Sequence, residues 1–127
     1  MAEAVLVDSF RERIAAHMAG GATLPAIGYM AFGDGGHNAS TLEPIPPSSS
    51  ATALNHEVLR KAISSITQED TLSVTGVGTV ETTELVGTAL SECALLDTEG
   101  NVIGIKTFSP KVKEADERYQ ISIKLRF

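Results

Sequence analysis

The stretch Ala89–Phe108, ALSECALLDTEGNVIGIKTF, constrains this chain more than any other. Two runs of strand-forming residues meet at Asp97-Thr98-Glu99-Gly100-Asn101, residues that tolerate left-handed backbone, so the stretch reads as a β-hairpin. Leu90, Cys93, Leu95 and Leu96 on the first arm, with Val102, Ile103, Ile105 and Phe108 on the second, put apolar groups on both faces. Such a hairpin needs cover on both sides, which places it in the middle of a sheet and not at its edge.

The other segments supply that cover. Ser9-Phe10-Arg11-Glu12 has the Ser-x-x-Glu spacing of a capping box, Phe10, Ile14, His17 and Met18 recur at helical spacing, and Gly20-Gly21 is a stop: one helix, about Ser9 to Ala19. Leu24–Phe32 reads as a strand with a proline near its start. It runs into Gly33-Asp34-Gly35-Gly36-His37-Asn38, where the glycines are expected to supply positive φ and Asp34 and Asn38 to close side-chain turns. Thr41–Ala53, rich in proline and serine, is an extended or mobile surface excursion.

Leu54–Ile66 fits helix or strand by period, and is read as a short turn at Asn55–Val58 followed by a strand to about Thr67. Thr71–Val80 is a Thr/Val strand whose two interior glycines signal a bulge or a close backbone approach. Glu81–Glu84 is an acidic connection, and Ser109–Arg118 a charged, solvated loop. Tyr119, Ile121, Ile123, Leu125 and Phe127 alternate with polar residues, a strand with one buried and one wet face that ends on a core-facing Phe and leaves no tail.

A chain of 127 residues makes one domain, residues 1–127, with room for a real core. Aromatic residues are 5% and Trp is absent, so that core is built from aliphatic side chains and four Phe. The fold class expected is α+β: an antiparallel sheet or sandwich core, one N-terminal helix and a long Gly/Pro/Ser-rich loop. Ten Lys and Arg against sixteen Asp and Glu give a net charge of −6, which repels phosphate backbones and argues against nucleic acid. The single cysteine, Cys93, excludes an internal disulfide and reads as a buried filler. Residues 1–13, MAEAVLVDSFRER, show neither a leader nor a membrane span, so synthesis in a reducing cytoplasm is expected.

The sequence patterns of catalysis mostly fail. There is no G-x-S-x-G elbow, and no Lys or Ser/Thr follows the glycine stretch at P-loop spacing. His56-Glu57 lacks the second histidine of a zincin, because position 60 is Arg. Asp34, His37, His56 and Glu57 flank the proline-serine excursion and could meet at a divalent ion. That gives the alternative reading: a small metal- or ligand-binding module or enzyme using the Gly33–Asn38 loop with His56 and Glu57.

The ordered set of pieces carries a further reading. A helix with a Gly-rich end comes first, then a strand ending in Ala31-Phe32-Gly33-Asp34-Gly35-Gly36. Thr52-Ala53-Leu54-Asn55-His56-Glu57-Val58-Leu59-Arg60 follows, and then Leu90-Ser91-Glu92-Cys93-Ala94-Leu95-Leu96-Asp97 with Gly100. Together they resemble the N-terminal domain of bacteriophage tail-collar fibre proteins of the P2-like kind, over nearly the whole chain. The resemblance implies a virion structural protein with no catalytic residues, no metal and no cofactor. It would attach or form part of a tail fibre or collar at the baseplate, reside in the virion tail, and pass through the bacterial host cytoplasm during assembly. Its partners would be tail or baseplate proteins of the same particle and further copies of itself, a trimer being favoured, with neither nucleic acid nor membrane. Gly33, Asp34, Gly35, Glu57, Arg60 and Glu92 are the structural or interface candidates, with pairing expected among Glu57, Arg60 and Glu92. Family members continue into a long shaft and tip, whereas this sequence stops at Phe127, which suggests an adaptor or a prophage-derived remnant.

Overall fold

A computed structural model describes residues 4–127. Its elements are β1 (Val5–Leu6), α1 (Asp8–Met18), β2 (Ile27–Gly33), β3 (Glu57–Ala62), β4 (Ser65–Asp70), β5 (Ser73–Val80), β6 (Ala89–Asp97), β7 (Val102–Val112) and β8 (Tyr119–Arg126). They form a five-stranded sheet ordered β1-β7-β6-β2-β3 and a three-stranded sheet ordered β4-β5-β8, with every pairing antiparallel. The fold is thus α+β, mostly strand with one short helix. The reading of residues 1–13 as free of a leader begins at Met1–Glu3, outside the described residues. Among the described residues no helix is long and apolar enough to cross a membrane.

The β6–β7 hairpin lies where its two apolar faces require: β6 is the middle strand of the larger sheet, and from Leu90 to Asp97 every residue is buried. Its turn closes through Gly100, at φ 87°, and through Asp97, whose Oδ1 accepts the amides of Glu99 and Asn101 at 2.9 Å each. One face meets the second sheet. There β5 carries glycine where the sheets touch, because a Cβ at Gly76 would stand 2.8 Å from Leu95 Cδ2 and one at Gly78 would enter Met30 and Phe32. Phe32, Met30, Leu90, Leu95, Ile103, Ile123 and Leu125 are all buried in the core.

The other face is covered by the proline-serine excursion, which is tied down. Thr107 Oγ1 donates to the Ile45 carbonyl at 2.8 Å, the Asp8 amide to the Ser49 carbonyl at 2.7 Å, and Leu54 is buried. Sheet surface, and not intrinsic preference for order, fixes this loop.

Several expectations need correction. The helix starts at Asp8 with Val7 as N-cap and no side-chain cap bond, so the Ser9/Glu12 box does not form; burial of Val7, whose amide bonds to Ile103 O at 3.1 Å, sets the start instead. Ser9→Ala should therefore cost less than about 0.5 kcal/mol in urea unfolding, against the ~1 kcal/mol of a true cap. The strand expected after a turn at Asn55–Val58 and on to about Thr67 begins earlier, at Glu57, and breaks at Ile63-Ser64: the Ile63 amide still bonds to Gly28 O on the first sheet, while Ser64 bonds to Val77 O on the second. The charged loop is shorter than expected, since β7 extends to Val112. Within the remainder Lys113 is buried, its Nζ donating to the carbonyls of Thr82 and Glu114. Phe127 is half exposed, resting against Phe10 with ring centroids 6.1 Å apart.

Cys93 sits fully buried under the second sheet. Burial pushes its thiol up to about 12, with Glu92 adding to the shift and Lys106 opposing it. A thiol-reactive aromatic disulfide at pH 8 should leave native Cys93 untouched and label it stoichiometrically in denaturant. The folded value lies above the unfolded one, so folding holds a proton that the unfolded chain releases. This contribution to stability falls as pH rises from about 9 towards 12, by up to ~1.4 kcal/mol per pH unit, and the extra slope should vanish in Cys93→Ala.

Candidate functional site

The glycine stretch after β2 and the turn before β3 come together on the end of β6. The group that joins them is Glu92, 1% exposed. Its Oε2 accepts the amides of Gly35 at 3.0 Å and His56 at 2.8 Å, and its Oε1 accepts the amide of Asn55 at 2.9 Å. A buried carboxylate is tolerated where it accepts several backbone N–H bonds, and those amides in turn would be orphaned without it. One residue earlier, Ser91 Oγ accepts the Gly36 amide at 2.9 Å and lies 2.8 Å from His37 Nδ1. Two adjacent β6 side chains thus hold the neck of the whole 34–56 excursion.

The glycines are there for close approach. None of Gly33, Gly35 and Gly36 has positive φ, contrary to expectation; the positive-φ glycines are Gly20, Gly87 and Gly100. A Cβ on Gly33 would stand 2.5 Å from both Glu92 Oε2 and His56 O, one on Gly35 2.9 Å from His56 N, and one on Gly36 against the Ser91 carbonyl. Asn38 does close a side-chain turn, its Oδ1 accepting the amides of Ser40 and Thr41. Asp34 does not: its carboxylate is 2.5 Å from His56 Nδ1 at the surface.

Glu57 and Arg60 pair with each other on the half-exposed edge strand β3, through two bonds of 2.8 and 3.1 Å. The Glu57 hydrogen bond holds the Arg60 guanidinium above its usual range. Glu92 takes no part in that pair. It faces main-chain amides instead, because β6 lies two strands inward and its side chain points beneath the loop.

Of the four residues considered for a metal only Asp34 and His56 meet, while His37 bonds to Ser91 and Glu57 to Arg60. Among the described residues no group of three or more His, Cys, Asp or Glu is placed to hold an ion. Sequence reasoning missed Ser91 and Asn55 as members of the site. Their signal was faint: a Ser-Glu pair inside an otherwise apolar strand, where each polar group demands a partner.

Comparison with known proteins adds one match. Residues 1–124 match the family described as phage tail-collar fibre protein, N-terminal. No curated protein and no solved structure matches the chain. The family match spans nearly the entire sequence, and the helix, glycine stretch, Asn55–Arg60 stretch leading into β3 and Glu92 strand fall within it as one interlocked unit; the chain belongs to the phage tail-collar fibre proteins, as their N-terminal domain, and is a structural component of the phage tail.

Proposed function

We propose that the chain, acting as one unit over residues 1–127, joins a tail fibre or collar to the baseplate through protein–protein contacts. It does so without catalysis and as a homo-oligomer, with three copies as the favoured number. Assembly takes place in the host cytoplasm before the particle is complete. The family match over residues 1–124 is the observation that carries this reading. The site geometry agrees with it: Glu92 and Ser91 spend their acceptors on loop amides, which fixes a surface shape and leaves neither group free for acid–base work. Asp34, Gly35, Glu57 and Arg60 then form the rim of that shaped surface, available to a partner, with Gly33 buried beneath it.

The test is reconstitution. The purified chain should co-migrate with tail or baseplate proteins of the same particle, and light scattering should return a multiple of the 13.4 kDa protomer. A monomer at high micromolar concentration that binds none of these proteins would overturn the reading.

A further inference from the structure

The cations of this acidic chain are gathered on one seam. Three hollows, of about 340, 220 and 320 Å³, follow the β8 strand. Their walls include Arg11, Lys106, Lys111, Arg118, Lys124 and Arg126, six of the ten Lys and Arg residues, and among the described residues no Asp or Glu. The floor is apolar, with Phe108 and Ile121 shared by two of the hollows.

The seam is also a strand edge. β8 pairs with β5 over eight residues without a bulge, and among the described residues no strand lies on its other side. Lys106 of β7 reaches across to this strand, its Nζ donating to Ser122 O at 3.1 Å. Lys106 is 93% buried, yet that carbonyl is its single hydrogen-bond acceptor, and no carboxylate lies within 4 Å of it or of Lys111 among the described residues. Arg11, Arg118 and Lys124 do have carboxylate neighbours, in Asp8, Glu81 and Glu69. The Lys106 stem is buried while its ammonium emerges at the exposed Ser122, so its remaining N–H donors are open to an anion lying along the edge.

We propose that β8 is a docking edge for an extended, acidic segment of another tail protein, which adds as a fourth strand beyond β8. This rests on the reading of the chain as an attachment protein. Main-chain bonds to the β8 edge supply affinity, alternate apolar side chains of the guest land on Phe108 and Ile121, and its carboxylates meet Lys106 and Lys111. Lys106 serves as a removable guard: it blocks the edge when the seam is empty and turns to the guest when it is filled.

The probe is a fluorescent peptide as long as β8, with Glu alternating with Val and Thr, read by anisotropy, together with hydrogen exchange of the protein. Saturable binding, slowed exchange at β8 amides and at least about tenfold weaker binding to the folded Lys106→Met/Lys111→Glu double variant are expected. Lys111→Glu alone, at an exposed site, supplies the same test if the double variant unfolds. Four results would each overturn the proposal: no saturable binding, equal binding of a peptide with Lys in place of Glu, tighter binding of a single-stranded oligonucleotide, or protection of β8 only on self-association. A chain that co-migrates with tail proteins yet fails these tests loses the docking edge while keeping its attachment role.

Discussion

Glu92→Ala is expected to lower the unfolding free energy by about 4 kcal/mol. The substitution leaves the amides of Gly35, Asn55 and His56 without acceptors, at ~1–3 kcal/mol for each such group, offset by whatever water enters as the loop relaxes. Glu92→Gln separates the hydrogen bonds from the bulk of the side chain. An amide oxygen placed where Oε2 sits can still accept from Gly35 and His56, but its NH2 then confronts the Asn55 amide, so about half of the loss should remain. Urea unfolding of the three proteins measures this. A loss below about 1 kcal/mol for the Ala variant would mean that the neck of the loop is held by something else.

Gly36→Ala should cost about 3 kcal/mol, although φ at Gly36 is ordinary. The added methyl would push into the Ser91 carbonyl and stand 2.8 Å from Glu92 Cβ, and neither obstacle can move without shifting β6. Gly20→Ala is the useful contrast. Gly20 has φ 83° but open space around it, so the Ala variant there should cost only the ~1 kcal/mol of left-handed strain. If the two variants are equal, or their order reverses, close packing is not the reason for glycine in this loop.

Period-two and turn signals made most of the sheet readable in advance. The β6–β7 hairpin announced itself through apolar arms around Asp97–Asn101, and β8 through strict alternation from Tyr119. The break at Ile63-Ser64 was hidden because the switch between sheets takes two residues, and neither is Gly or Pro. β7 was cut short because Ser109, Pro110 and Lys111 look like a loop, whereas tertiary pairing of Lys111 with Leu90 keeps them in the strand. In the site, Glu92 was visible as an acid inside an apolar strand, but its partners were not. They are main-chain amides, which carry no sequence signature, on segments 57 and 36 or 37 residues away. The same blindness hides tight contact, as opposed to backbone freedom, as the reason for glycine in this loop.

Because both ends of the 34–56 excursion are gripped by Ser91 and Glu92, the rest of the domain is insulated from what happens at its tip. Closing a longer loop on a fixed neck adds only ~0.6 kcal/mol per doubling of its length. Residues 39–42, exposed at the tip between His37 and Pro44, are therefore the natural point of entry for inserted sequence, where related fibres could acquire new partner contacts, or an engineer a tag, without redrawing the sandwich beneath.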